Sequence, residues 1–127
     1  MKELYKCEKE GDIKVTSVSL AGRLEVRPAS VADMFSKLEG KELIDHRRWR
    51  YVKLSPKGLV IAESLIWRHR ILETYFSSIL KLNFSEACDA ASLIDSSVTS
   101  SVVEAMCRTL GHPTRCVHGY HIPHPEV

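Results

Sequence analysis

Between Thr16 and Leu54 the hydrophobic period changes from helical to alternating, and this narrows the fold more than any other pattern in the chain. Val18, Leu20, Ala21 and Leu24 recur at helical spacing and predict a helix over 16–24. Glu25-Val26-Arg27-Pro28 breaks it, with Val26 placed to plug the core and Pro28 suited to open a new helix. Ala29 to Glu39 then carries a stripe of Val31, Met34, Phe35 and Leu38, with Gly40 as its stop. Leu43-Ile44 and Tyr51-Val52-Lys53-Leu54 read as short strands on either side of Asp45-His46-Arg47-Arg48-Trp49-Arg50. Two helices joined by a tight turn and followed by a basic hairpin predict a winged helix-turn-helix.

The helical period returns after Ser55-Pro56-Lys57-Gly58, which looks like a capped helix start. Leu59 to Leu82 is expected as one long helix, with Ile61, Leu65, His69, Leu72, Phe76 and Ile79 along one side. Ser85 is the expected cap of a helix reaching about Ile94, and Thr99 of another that Gly111 ends. The segment from His112 to Val127 is rich in His and Pro and has no period. The expected fold is mainly α with a small β-wing: a winged helix-turn-helix over 1–61, then a helical dimerisation domain over 62–127. Leu65, Ile66, Phe76, Ile79, Val102, Val103 and Met106 offer more apolar surface than a small helical unit can bury alone, which predicts a homodimer.

Composition removes the competing classes. A chain of 127 residues is too short for a doubly wound dinucleotide enzyme or an α/β barrel. No apolar run approaches the roughly 20 residues of a membrane span, and Met1-Lys2-Glu3-Leu4-Tyr5-Lys6 lacks a secretory apolar region, so a cytoplasmic protein without a membrane partner is expected. The cysteines at 7, 88, 107 and 116 form no Cys-x-x-Cys pair, which argues against a zinc knuckle. No Ser/His/Asp order, phosphate loop or paired carboxylates stand out, so an enzyme is not expected. The net charge of +2 hides an asymmetry: residues 1–61 carry 13 Lys and Arg against 9 Asp and Glu, and residues 62–127 carry 5 against 7. The first half has the sign that a polyanion attracts.

That charge sits where a helix-turn-helix would meet DNA. Arg27, Ser30, Asp33 and Lys37 fall on the outer face of the second helix, and Ala29, Ser30 and Ala32 are short enough to let it approach base edges. Arg47, Arg48 and Arg50 on the wing suit phosphates. The candidate DNA-binding set is Arg27, Pro28, Ala29, Ser30, Asp33 and Lys37 with Arg47, Arg48 and Arg50, and the partner is a double-stranded operator. A three-helix core with a polar face is the alternative. Asp33 opposes a phosphate array unless it accepts from cytosine or orients Arg27 or Lys37.

On the long helix His69 and Glu73 stand four apart, on one face. An imidazole and a carboxylate so placed can share a divalent cation, or simply hydrogen-bond in the core.

The chain resembles the iron- and manganese-dependent, diphtheria-toxin-repressor-like transcriptional repressors over nearly its whole length. The resemblance is carried by Leu20-Ala21, Leu24, Val26, Val31 and Leu38; by Val52-Lys53-Leu54-Ser55-Pro56-Lys57-Gly58; by Arg68-His69-Arg70-Ile71-Leu72-Glu73; by Glu86-Ala87; and by Cys116-Val117-His118-Gly119-Tyr120-His121-Ile122-Pro123. It implies a metal-dependent repressor that binds operator DNA as a homodimer, with a divalent transition metal, Fe²⁺, Mn²⁺ or Zn²⁺, as cofactor. His69 and Glu73 match two ligands, Cys88 falls where a third, usually His, belongs, and Asp95 falls at a ligand Glu position. Ser92 and Ser96 stand where the family's second site has ligands, and its N-terminal ligand belongs to a first helix extending upstream of Tyr5. The expected relative is thus N-terminally short and without the SH3-like domain. The metal set implied is His69, Glu73, Cys88 and Asp95, with the histidine-rich end read as a docked surface loop rather than a further zinc site. The alternative function is a winged-helix dimer that has lost metal sensing and acts as a constitutive DNA-binding or protein-interaction module.

Overall fold

The structure is a computed structural model that describes residues 1–11, 14–46 and 51–124. The chain divides into two compact units, Met1–Ala62 and Glu63–Val127. Its elements are helix α1 (Lys2–Tyr5) continuing into a π-helical turn (Lys6–Glu10), α2 (Ser17–Leu24), α3 (Pro28–Gly40), strands β1 (Ile44–His46) and β2 (Val52–Leu54), and helices α4 (Pro56–Ser78), α5 (Phe84–Ile94) and α6 (Ser100–Thr109). The fold is mainly helical with one small antiparallel sheet, as the sequence predicts.

In the first unit α2 begins with a reciprocal cap. Thr16 Oγ1 accepts from the Ser19 N–H at 3.0 Å, and Ser19 Oγ accepts from the Thr16 N–H at 2.9 Å. The helix ends where Glu25 turns left-handed (φ 56°) and the Val26 N–H donates to Ala21 O at 3.1 Å. That backbone closure makes the turn, so Val26 is not the expected plug: it is 47% exposed, as Val18 is 68% exposed. Leu20 and Ala21 face inward alone from α2, to a core with Leu4, Tyr5, Cys7, Val15, Val31, Phe35, Ile44 and Val52. Gly40 does not stop α3. It is the last helical residue, and Glu42 makes the left-handed turn (φ 59°), with the Leu43 N–H donating to Leu38 O at 2.9 Å.

The sheet pairs Ile44 with Leu54, Asp45 with Lys53 and His46 with Val52. A further bridge joins Val15 to Val52, and the Glu8 carboxylate accepts from the Leu54 N–H at 3.0 Å. Ser55 ties the sheet to α4: its hydroxyl donates to Glu42 O at 2.7 Å and accepts from the Gly58 N–H at 2.9 Å. A Cβ on Gly58 would stand 1.8 Å from Leu43 O, so this crossing of two backbones requires glycine.

In the second unit α4 ends at Ser78, short of the predicted Leu82, because Lys81 turns left-handed (φ 62°) and the Leu82 N–H returns to Phe76 O at 3.1 Å. Helix α5 is capped by Asn83, not Ser85; the Asn83 side chain accepts from the Glu86 N–H at 2.8 Å. Thr99 caps α6 as expected. The core gathers Trp67, Ile71, Val103, Cys107, Cys116 and Ile122. Of the apolar residues expected to seek a partner chain, Ile66 and Val103 are fully buried within the chain. Ile79 and Val102 are exposed, together with Leu80, Phe84, Leu93 and Ile94. No helix among the described residues is long and apolar enough to cross a membrane.

Candidate metal centre and nucleic-acid face

Helical periodicity places His69 and Glu73 one turn apart on α4, both buried. A buried imidazole and carboxylate need partners, and these come from α5 and its C-terminal end. His69 Nδ1 lies 3.1 Å from Asp95 Oδ2. A carboxylate only accepts, so Nδ1 carries the proton and the Nε2 lone pair points away from Asp95. On that side stand Glu73 Oε2 at 3.6 Å and Cys88 Sγ at 3.5 Å. The three donor atoms of His69, Glu73 and Cys88 all lie within 4.8 Å of one another. Around an ion bonded at about 2.0–2.3 Å, tetrahedral donors stand about 3.3–3.8 Å apart. The two separations from His69 Nε2 fall in that range, so nitrogen, oxygen and sulfur are close enough together to share a transition metal.

Asp95 does not join this group. It faces the opposite nitrogen of the ring, where a carboxylate fixes the tautomer and orientation of a ligating histidine. The His69 imidazole lies between Asp95 and the other two donors, Glu73 and Cys88. Ser92 and Ser96 are exposed, and among the described residues no group of three potential ligands includes Asp95.

Cys116 and His118 approach from the histidine-rich segment after the last helix, expected as a docked surface loop. The docking is real: Ile122 is completely buried. It anchors a turn in which Arg115 pairs with His121, the Cys116 N–H donates to Tyr120 O at 2.9 Å, and Gly119 (φ 84°) reverses the chain. The turn brings His118 Nδ1 to 3.4 Å from Glu73 Oε2, and the donor atoms of Glu73, Cys116 and His118 lie within 4.8 Å of one another. Period analysis misses such residues because the turn has no period; the Cys-x-His-Gly spacing was the available signal. The other histidines of this segment lie elsewhere: Cys107 Sγ is 3.4 Å from His112 Nδ1 and 3.9 Å from His124 Nδ1.

The electrostatics follow from this crowding. Burial opposes the charge of Glu73, but hydrogen bonds from His69 and Cys116 and the nearby imidazoles of His69 and His118 outweigh it and hold the carboxyl below its ordinary value. Burial pushes the Cys116 thiol up, and the adjacent Glu73 pushes it further.

In the first unit, Arg27 occupies the N-cap position of α3, with Pro28 at its first turn, and Ala29, Ser30, Asp33 and Lys37 are all exposed. Asp33 pairs with Lys37 at 3.4 Å across one helical turn, which partly neutralises the carboxylate. Arg47, Arg48 and Arg50, expected on the wing, lie outside the described residues.

Residues 1–52 match the family model "iron dependent repressor, N-terminal DNA binding domain", and residues 55–124 match "iron dependent repressor, metal binding and dimerisation domain". The chain is 35% identical over 72 residues to the HTH-type transcriptional regulator MntR of Oceanobacillus iheyensis, covering 57% of this chain and 48% of that protein. Identity to the MntR of Geobacillus thermodenitrificans is also 35% over 72 residues, covering 57% and 50%. The chain thus spans about half the length of the curated relatives it matches. Among solved structures it resembles the manganese regulator SloR (TM-score 0.87, 27% identity, 99% of this chain and 60% of that one). It also resembles a manganese-dependent transcriptional repressor in complex with manganese (TM-score 0.89, 28% identity, 97% and 56%). Since a DNA-binding and a metal-binding repressor model match in succession along nearly all of its length, the chain belongs to the iron-dependent repressor family.

Proposed function

We propose that this protein is a metal-dependent transcriptional repressor that binds operator DNA as a homodimer, with residues 1–61 reading DNA and residues 62–127 pairing the chains and holding the ion. The observation that carries this is the state of His69, whose Nδ1 is engaged by Asp95 while Nε2 faces Glu73 and Cys88 at tetrahedral-edge separations. In this reading His69, Glu73 and Cys88 hold a divalent transition metal and Asp95 orients His69. A set containing a thiolate suits Zn²⁺, Fe²⁺ or Co²⁺ better than the harder Mn²⁺. When bound, the ion supplies the charge that lets two anionic groups and an imidazole share one buried point.

On the DNA side, Arg27, Pro28, Ala29, Ser30, Asp33 and Lys37 form the face that meets the major groove, with the Asp33–Lys37 pair limiting repulsion. Arg47, Arg48 and Arg50 supply phosphate contacts. Exposed Ile79, Leu80, Leu93, Ile94 and Val102 suit a second copy of the chain, and a two-fold dimer matches palindromic half-sites. Metal couples to DNA only so far as the ion prefers the binding-competent arrangement. Exposed Ser92 and Ser96, at positions where the family resemblance expects ligands, favour a second reading in which binding is constitutive.

Operator binding by the purified dimer, measured with metal and with chelator, tests both. Metal-dependent affinity that His69→Ala abolishes supports the first reading. Equal affinity in all conditions refutes it in favour of the second.

A further inference from the structure

We propose that Cys107, His112 and His124 form a cation site at the end of α6, separate from the His69 centre, which takes a divalent transition ion of the zinc class and fastens the chain beyond the last helix to that helix. The proposal goes beyond the metal-dependent reading above and does not depend on it.

Helix α6 presents Cys107 in its last turn, 2% exposed. The chain then reverses through two left-handed residues, Gly111 (φ 77°) and His112 (φ 54°), and the His112 N–H donates to Cys107 O at 2.9 Å. A left-handed conformation is uncommon outside glycine. Here it carries an imidazole back to the helix end, with His112 Nδ1 at 3.4 Å from Cys107 Sγ. The second imidazole arrives from beyond Ile122. That side chain is buried and its N–H donates to Thr114 O at 2.8 Å. His124 Nδ1 then lies 3.9 Å from the same sulfur.

The donor chemistry suits an ion. His124 Nε2 lies 2.9 Å from Pro113 O. A carbonyl only accepts, so Nε2 carries the proton and Nδ1 keeps its lone pair for the sulfur side, as in a ligating histidine. A thiol has a single proton to give to the two nitrogens that face it, whereas a cation bound to the thiolate accepts a lone pair from each. The sulfur also has a donor beside it. The indole Nε1–H of Trp67 is buried and makes no hydrogen bond of ordinary geometry. Burial pushes the Cys107 thiol up, and the neighbouring Trp67 N–H pulls against it by favouring the anion. An indole N–H can only donate, and a thiolate fixed by an ion gives it an acceptor. Of the two sulfur–nitrogen separations, the shorter lies within the tetrahedral range of about 3.3–3.8 Å and the longer slightly above it. The three donors are spread more widely than those of the His69 group, which all lie within 4.8 Å of one another. Both rings are exposed, so they can turn onto one ion without disturbing the core. Thiolate and imidazole donors direct the choice towards Zn²⁺, Co²⁺ or Fe²⁺ and away from Mg²⁺ or Ca²⁺, with a fourth position left for water.

Anaerobic titration of the tag-free, full chain with Co²⁺ tests the site, read by metal analysis after dialysis and by the thiolate-to-cobalt absorption band. The double variant His112→Ala with His124→Ala should bind one ion fewer per chain than the wild type and lose the share of the band that Cys107 contributes. Both positions are exposed, so the core stays intact, which urea unfolding checks. His69→Ala, which removes the centre on α4, should keep that ion and that share of the band. A double variant that binds as much cobalt as the wild type, with an unchanged band, overturns the proposal and leaves the centre on α4 standing. An ion that disappears equally in the double variant and in His69→Ala also overturns it, because the two histidines then serve the centre on α4. No cobalt bound by the wild type overturns this site and the metal-dependent reading together.

Discussion

Asp95 offers the sharpest test of how the metal centre is organised, because a ligand and an orienting group respond differently to the same substitution. Its carboxylate is 3.1 Å from His69 Nδ1, and both side chains are buried. A buried charge-assisted hydrogen bond contributes about 1.5–3 kcal/mol, and removing an orienting partner of a ligating histidine weakens metal about 10–100-fold. Asp95→Asn retains an oxygen that can accept from Nδ1–H, so the tautomer survives and the charge is lost. Its affinity for Co²⁺ should fall about tenfold, near the low end of that range. Asp95→Ala loses both, and its affinity should fall about 100-fold, equivalent to about 2.7 kcal/mol. In both variants the absorption spectrum of bound cobalt should stay as in the wild type, because the atoms touching the ion are unchanged. Competition against a chromophoric chelator measures the affinities, and urea midpoints show whether the fold has suffered. Asp95→Ala binding cobalt as tightly as the wild type would refute the orienting role. A changed spectrum in Asp95→Asn would show instead that Asp95 touches the ion.

The other predictions concern the fold, the DNA face and the assembly. Gly58→Ala forces a Cβ to within 1.8 Å of Leu43 O, so it should destabilise by about 3 kcal/mol or more in urea unfolding. Gly40→Ala, with nothing within 4 Å, should instead stabilise by up to about 1 kcal/mol. Arg47→Ala, Arg48→Ala and Arg50→Ala should each weaken binding to all DNA sequences and reduce the salt slope by about 0.9 per lost phosphate contact, while Ser30→Ala should alter sequence preference; unchanged slopes in all three would remove the wing from the interface. Sedimentation at micromolar concentration should give a dimer that Leu93→Lys combined with Val102→Lys converts to monomer; a monomeric wild type refutes this. Burial pushes the Cys7 and Cys107 thiols above the ordinary value of 9.0. The unfolded chain therefore loses these protons first, so their stabilising contribution is complete below pH 9 and is lost as pH rises through the higher folded values. The urea midpoint should fall above pH 9, and less steeply in Cys7→Ala and Cys107→Ala.

Much of this was legible in the sequence because it depends on period and punctuation. The helices from Ser17 to Gly40, the two short strands that follow them, and the Thr99 cap follow from local rules. Where expectation and structure part, the local hydrogen bonds decide the helix end. Glu42 rather than Gly40 turns left-handed, and Asn83 claims the cap from Ser85. Spacing also paired His69 with Glu73, since i and i+4 share a helical face. It could not tell which nitrogen of His69 faces which acid. Nor could any period bring residues 116 and 118 to residue 73 across more than forty positions of chain. That approach is set by Ile122, a single buried side chain beyond the last helix.

The burial of Ile122 also bears on how a shortened version of this protein would be judged. A fragment ending at Leu110 would retain every helix and every helix cap. Its far-ultraviolet spectrum would look complete. It would nonetheless lack the side chain that fills the space among Trp67, Ile71, Val103 and Cys107, and the whole turn that Gly119 reverses. For this chain, helical content is therefore a poor gauge of an intact interior, and a sound fragment must extend through Ile122, although the last helix stops at Thr109.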